Sequence, residues 1–350
     1  MMPNENVIDK LGPVPNLKCY LIAEMSANHA GDLSRALEIV HAAKEAGADC
    51  IKTQTYTADT LTIDCANDYF SIHEGPWKGR TLYDLYREAH TPWDWLARIK
   101  EEADKLGLDY LSTPFDRTAV DFLAELGVSS YKVASFELND LPLLRYIAAQ
   151  GKPVIASTGM ASLGEIERAV RTVREAGNQD LCLLKCSSAY PAPPDDMNLR
   201  TIPHLAETFG VAVGLSDHTL GSAAAVAAVV LGACVIEKHF CLSRSIANPD
   251  AAFSMEPAEF RQMHDDIRAV ERAMGKVQYG VSSAEEGSVV FRRSLFIVQD
   301  MKAGEAFTAE NLRSIRPGYG LAPRHYDEVI GRRAAGDICR GTPLAWNLVR

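Results

Sequence analysis

The chain's 350 residues leave room for one large domain and a small one, and 47% hydrophobic with 23% charged residues is an ordinary globular balance. A formal net charge of −10, with an isoelectric point near 5.4, excludes nucleic acid as the main partner, because phosphate backbones are bound by basic faces. The start "MMPNENVIDK" has no signal-peptide apolar core, and the run "AAAVAAVVLGACVI" is too short to cross a bilayer, so no membrane is expected and the cytoplasm is the expected compartment.

Along the chain, short apolar runs alternate with amphipathic stretches, the pattern of βα units around a parallel sheet. "CYLIAE" (19–24) is followed by the helical "ALEIVHAAKEAGA", then "DCIKTQ" (49–54) and a polar and aromatic insertion to about His90. "WDWLARIKEEADKLG" leads to "LDYLSTP" (108–114), "AVDFLAELG" to "SSYKVAS" (129–135), and "LPLLRYIAAQG" to "PVIASTG" (153–159). The series closes with "LCLLKCSS" (181–188), "VAVGLSD" (211–217) and "CVIEKHF" (234–240), each preceded by a helical stretch. Eight such units favour a (β/α)₈ TIM barrel over an open doubly wound sheet. None of the eight cysteines forms a CxxC pair, and Cys50, Cys182, Cys186 and Cys234 lie in apolar strands, so reduced core thiols are expected. After "FRRSLF" the texture turns to short strand-like pieces with Gly/Pro punctuation. The expected division is a barrel over residues 1–280, a linker over 281–290 and a small β-rich domain over 291–350.

In such a barrel the carboxyl ends of the strands face the active site. Here those ends are polar in every unit: Glu24; Lys52 with Gln54; Thr113; Lys132; Ser157 and Thr158; Ser187 and Ser188; Ser216, Asp217 and His218; Glu237, Lys238 and His239. Eight apolar strands delivering polar groups at one end point to an enzyme. His218 and His239 end neighbouring strands and can aim two imidazoles at one divalent metal with open positions for substrate. Lys52 and Lys132, with hydroxyls from Ser157, Ser187 and Ser216, suit a phosphate-bearing substrate; a Schiff-base lysine is the competing use. Glu24 and Glu137 are candidates for acid–base work, Glu137 being equally readable as a helix-start residue, and Asp217 as the group that orients His218.

"IAEMSANHAGDLSRALEIVHAAKEAGADCIKTQTY", "KVASFELND", "GKPVIASTGMAS", "GLSDHT", "EKHF" and "RPGYG" together resemble the sialic acid synthase family, from about residue 16 to the end. Within it, "SANH" where other branches carry "GVNH" resembles the pseudaminic acid branch. The resemblance implies condensation of phosphoenolpyruvate with a 2,4-diacetamido-2,4,6-trideoxy hexose by C–O cleavage, or with the sugar precursor of N-acetylneuraminic or legionaminic acid. It further implies a divalent metal (Mn²⁺, Mg²⁺ or Co²⁺) on His218 and His239, and phosphoenolpyruvate contacts from Lys52, Lys132, Ser157, Ser187 and Ser216. Glu24 is implied as the acid beside the reacting carbonyl and candidate base for the attacking water. Gln54, Thr113, Glu137, Tyr190 and Asp250 would line the sugar side. The C-terminal domain would be an antifreeze-like (SAF) domain, swapped in a homodimer so that Arg316 reaches the neighbour's site. Ser188 stands where the family's usual asparagine would be.

Overall fold

The structure, a computed structural model, describes residues 18–75 and 77–350. Its large sheet has eight parallel strands: β1 (Tyr20–Glu24), β2 (Cys50–Thr55), β3 (Asp109–Pro114), β4 (Tyr131–Val133), β5 (Val154–Ser157), β6 (Leu181–Cys186), β7 (Ala212–Asp217) and β8 (Val235–His239). Every expected strand forms close to its expected limits. The order β3-β2-β1-β8-β7-β6-β5-β4, with β3 lying beside β4, bends the sheet into a nearly closed barrel. Outside it run α1 (Leu33–Glu45), α2 (Ala58–Leu61), α3 (Leu82–Ala89), α4 (Trp93–Lys105), α5 (Arg117–Glu125), α6 (Leu141–Ala148), α7 (Leu163–Glu175), α8 (Thr201–Phe209), α9 (Ala223–Val230) and α10 (Pro257–Met274). The helices α1, α5 and α6 start where Asp32, Asp116 and Asp140 accept first-turn N–H groups, and Ser162 with Glu165 forms a reciprocal cap on α7.

Strand alternation decides what enters the barrel. Successive side chains point to opposite faces, so the inward series can be followed along each strand. It begins apolar, with Tyr20, Ile22, Cys50, Leu111, Ile155, Cys182, Leu184 and Val235 packed as one interior cluster. Further toward the carboxyl ends the same series turns polar: Glu24, Lys52, Thr113, Lys132, Ser157, Ser216, Glu237 and His239, all buried. The outward residues of the same strands, among them Leu21, Ala23, Ile51, Tyr131, Val133, Leu183, Leu215 and Ile236, join the larger core beneath the helices. The outward hydroxyls on β2 and β3 satisfy one another: Thr53 Oγ1 lies 2.8 Å from the Tyr110 hydroxyl, and Thr55 Oγ1 2.7 Å from Ser112 Oγ.

The chain divides between Gly275 and Lys276 into two compact units. The segment expected as linker belongs to the second unit, where Ser283–Phe291 forms a 3-10 stretch. That unit pairs β9 (Ser294–Ile297) with β10 (Leu312–Ile315) antiparallel, over a core of Leu295, Ile297, Met301, Phe307, Leu312, Val329 and neighbours. The glycines of "RPGYG" have a steric reason. A Cβ on Gly320 would lie 2.2 Å from the Leu295 carbonyl oxygen, so only glycine lets this turn press against β9.

Gly214, the inward residue in the middle of β7, is under the same constraint. A Cβ there would meet the Val235 carbonyl oxygen at 2.4 Å and Leu184 Cδ2 at 2.6 Å. Gly214→Ala therefore forces β7 away from β8, at the cost of about 1–3 kcal/mol typical of an overpacked core. Thermal and denaturant unfolding should show this loss; an unchanged midpoint would mean that the strands have slack to absorb a methyl.

Candidate active site

The polar ends of the strands surround a cavity of about 510 Å³, the size of a small-molecule site. Its floor is lined by Lys52, Lys132, Ser157, Ser216, Glu237 and His239, with His218 beside them. At the floor four charges meet. Lys52 lies in contact with Glu24 and 3.7 Å from Glu237 Oε1; Lys132 Nζ is 3.9 Å from that same oxygen. Lys132 also donates to Ser157 Oγ at 2.6 Å and to the Val133 carbonyl at 2.9 Å, and Ser216 Oγ donates to Glu237 at 3.1 Å.

Two carboxyls and two ammoniums buried together are tolerated because each has an opposite charge at hand. Burial opposes ionisation of Glu237, but Lys132 and Lys52 more than offset it and hold this carboxyl below its ordinary range. Glu24 goes the other way. Burial raises its carboxyl above the ordinary range, Lys52 opposes that shift, and the nearby Glu237 charge adds to it. Burial pulls Lys52 down, yet Glu237 and Glu24 hold it above its usual value, whereas Lys132 ends below its own. Glu237 is thus the ionised carboxylate of the floor, and Glu24 is the one that keeps a proton to higher pH.

The histidines stand where neighbouring strand ends should put them, with ring centroids 5.4 Å apart. His218 Nδ1 donates to the Ser187 carbonyl at 2.7 Å, which leaves the Nε2 lone pair free. Asp217 does not orient His218, as the sequence had suggested. It points outward by strand alternation and binds Lys238 at 2.6 Å, while Lys238 also donates to the carbonyls of Thr219 and Gly221 at 2.6 and 2.8 Å. That clamp fixes the loop carrying His218 from behind. Tyr190 packs on the other face of His218 at a centroid distance of 4.3 Å and is backed by Phe253 and Trp77.

Burial lowers the pKa of both imidazoles, so they are neutral at neutral pH, and His239 Nδ1 is buried without a hydrogen-bond partner. Among the described residues no three His, Cys, Asp or Glu side chains converge on a metal position. Two neutral imidazoles with an unused nitrogen fit an open divalent site in which substrate or water supplies the remaining ligands.

Gln54, Thr113, Glu137, Tyr190 and Asp250 all line the cavity, as expected. Glu137 follows β4 in a turn rather than starting a helix, and burial pushes its carboxyl up to about 7. Three of the candidate residues lie outside this lining. Glu24 rests against Lys52 outside the set of side chains lining the cavity. Ser187 acts through its carbonyl on His218, and its side chain is not part of the wall. Arg316 lies exposed in the second unit, just after β10.

Sequence reasoning named Glu237 at its strand end without giving it a role, and gave none to Ser26 or to the apolar wall from the insertion. Counting back two residues from His239 finds Glu237. The wall, made by Leu61, Ile72, Trp77, Leu82, Leu85 and Tyr86, has no such periodic signal. His29 of "SANH" is structural: it bonds Thr91 at 3.1 Å, and burial lowers its pKa to about 4.

The model of the NeuB family matches residues 39–279, and that of the SAF domain residues 292–350. A pseudaminic acid synthase of Campylobacter jejuni is 46% identical over 93% of this chain and 95% of its own length. An N,N'-diacetyllegionaminic acid synthase of Legionella pneumophila is 38% identical over 95% and 94%. Among solved structures, the spore coat polysaccharide biosynthesis protein SpsE of Bacillus subtilis aligns with a TM-score of 0.65 and 32% identity, covering 96% of each chain.

The raised Glu137 carboxyl links stability to pH. Between its ordinary value of 4.5 and about 7, the folded chain holds a proton that the unfolded chain has released, so stability falls as pH rises through that window. Glu137→Gln removes this dependence. Its stability relative to the parent should climb from pH 4.5 to about 7 and then level off, as read by denaturant titration at stepped pH; a difference that does not change with pH would show the carboxyl to be ordinary.

Proposed function

Because the chain belongs to the NeuB family, we propose that it condenses phosphoenolpyruvate with 2,4-diacetamido-2,4,6-trideoxy-L-altrose and water, giving pseudaminic acid and phosphate. One observation carries this reading: two buried lysines and two neutral imidazoles converge on a single cavity large enough for both substrates. The 46% identity to the Campylobacter jejuni enzyme favours this sugar. The 38% identity to the Legionella pneumophila enzyme makes the precursor of diacetyllegionaminic acid the second candidate.

Lys52 and Lys132, with the hydroxyls of Ser157 and Ser216, hold the phosphate and carboxylate of phosphoenolpyruvate on the floor. This polyanion meets ammoniums already balanced by Glu24 and Glu237, so the floor is ordered before it arrives. Glu24 acts here by keeping Lys52 charged and in place. His218 and His239 would hold a divalent ion, Mn²⁺, Mg²⁺ or Co²⁺, which when bound supplies Lewis-acid polarisation of the sugar aldehyde. C3 of phosphoenolpyruvate bonds to that carbonyl carbon, and the aldehyde oxygen takes a proton. Water adds to C2 and gives up a proton, so the proton count balances; the tetrahedral centre then expels phosphate with its bridging oxygen. Glu137, titrating near 7 on the sugar side, is placed to hold and return the proton. The apolar wall of the insertion keeps bulk water from the oxocarbenium-like centre.

We further infer a cytoplasmic homodimer in which the C-terminal domain is exchanged and Arg316 serves the partner's cavity. A guanidinium offers planar paired donors to a carboxylate or an N-acetyl carbonyl.

Phosphate release should be seen with phosphoenolpyruvate and the L-altrose sugar, at higher kcat/KM than with N-acetylmannosamine or the legionaminic precursor. It should require divalent metal and be lost in His218→Ala and His239→Ala. Bridging ¹⁸O should leave with phosphate. Turnover in excess chelator, or label retained in the keto acid, would overturn the mechanism, and a preference for either of the other two sugars would change the substrate alone.

Mixing Arg316→Ala and His239→Ala subunits under verified exchange should restore activity to one composite site. If the exchanged mixture stays as inactive as its parents, Arg316 does not act across subunits.

A further inference from the structure

The insertion between β2 and α4 brings an apolar face to the cavity, and Trp77 anchors it. Ser71 bridges antiparallel to Thr81, the Ile72 N–H donates to the Arg80 carbonyl at 2.8 Å, and the Gly79 N–H donates to the Ile72 carbonyl at 2.8 Å. From this frame Trp77 reaches the loop after β8, where its indole N–H donates to the Pro249 carbonyl at 3.0 Å. An indole has a single polar atom, and this bond uses it. What Trp77 offers the cavity is therefore hydrocarbon, together with Leu61, Ile72, Leu82 and Leu85. Two polar side chains of the same segment also line the cavity: Glu74, which is exposed, and Tyr86, whose ring meets Tyr56 edge-on at 5.9 Å.

The chemistry decides which part of a sugar meets this face. The aldehyde carbon has to reach C3 of phosphoenolpyruvate at Lys52 and Lys132, so the sugar's far end is left toward the loops beyond the strand ends. Tyr190 bridges the two regions, its ring centroid 4.3 Å from that of His218 and 5.9 Å from that of Trp77. A six-carbon chain that starts at the imidazoles is long enough to pass Tyr190 and end at the indole. That end is where the candidate sugars differ. The trideoxy hexoses carry a C6 methyl, and N-acetylmannosamine carries a C6 hydroxymethyl. A methyl gains by leaving water for an apolar wall, whereas a hydroxyl placed there loses its water and finds no partner on the indole.

We propose that Trp77 is a specificity-determining residue that selects sugars ending in a C6 methyl, its indole face receiving the methyl while Pro249 holds its N–H; this rests on the sugar-condensing reading above.

The test compares two substrates that differ only in the C6 oxygen, N-acetylmannosamine and 2-acetamido-2,6-dideoxymannose. Phosphate release is read with the full-length, metal-loaded enzyme, and the ratio of the two kcat/KM values cancels any loss of folded protein. The parent should favour the 6-deoxy sugar by about 10- to 100-fold, the range an apolar pocket reaches against an added hydroxyl. Trp77→Gln keeps a donor for Pro249 but replaces the indole face with an amide, and should bring the ratio close to unity. Trp77→Phe drops the donor but keeps an apolar ring, and should retain most of the preference. In both variants KM for phosphoenolpyruvate should stay at the parental value. The ratio between the L-altrose sugar and the legionaminic precursor, which share the C6 methyl, should not change in Trp77→Gln.

The proposal is overturned by a parent that takes the matched pair equally, as it would if Glu74 or Tyr86 served a C6 hydroxyl. It is also overturned if Trp77→Gln keeps the parental ratio, or if Trp77→Phe loses the preference as fully as Trp77→Gln. A phosphoenolpyruvate KM that rises in step, or an equal shift between the two 6-deoxy sugars, would reduce Trp77 to general packing and sink it as well. If the parent releases no phosphate with any sugar, the condensing reading falls and this proposal with it; parental turnover without the preference removes the role of Trp77 alone.

Discussion

The contact on which the rest of the site depends is the buried quartet of Glu24, Lys52, Glu237 and Lys132. These groups are nearly inaccessible to water, and isolated charges would not stay ionised at such depth. Together they form a self-compensated floor, and that balance lets β1, β2, β4 and β8 carry charged residues into a barrel whose lower half is hydrocarbon. Taking away one member leaves its partner unbalanced. The electrostatics of catalysis and the integrity of the barrel's upper layer are therefore one problem, met by one set of side chains.

A second buried pair, Asp217 with Lys238, does different work on the other face of the same strands. Each lies one residue from an inward-facing group, Asp217 before His218 and Lys238 before His239. Strand geometry therefore assigns one residue of each pair to the cavity and one to the support behind it. The clamp onto Thr219 and Gly221 holds the loop, and the Ser187 carbonyl fixes the ring. The imidazole is thus gripped through its backbone, its Nδ1 and its face.

Much of this was legible in the sequence because the signals were periodic. Apolar runs ending in polar clusters gave eight strands, their direction and the end where chemistry collects. What the sequence left open follows from parity and from long-range approach. Asp217 and His218 read as one cluster until alternation sends them to opposite faces. Glu24 reads as a strand-end acid, and in the structure it belongs to the charged quartet through Lys52 without itself lining the cavity. The insertion after β2 shows only polar and aromatic composition in the sequence, and its apolar wall exists once the fold brings Leu61, Ile72, Trp77 and Leu82 to line one cavity.

The hydrogen-bonded order of the sheet runs from β3 round to β4, and there the ladder stops, although the two strands lie side by side. The barrel therefore has a seam. A fully laddered barrel is stiff in circumference, but a seam held by side-chain packing can widen or narrow without breaking backbone hydrogen bonds. Thr113 lies on one lip of it and Lys132 on the other, both on the cavity. The gap in the ladder thus lies beside the cavity, with one of its lining residues on each lip. Round the rest of the barrel the strands that carry the cavity's side chains are tied by backbone hydrogen bonds, so Thr113 and Lys132 are the two lining residues whose strands share no such tie.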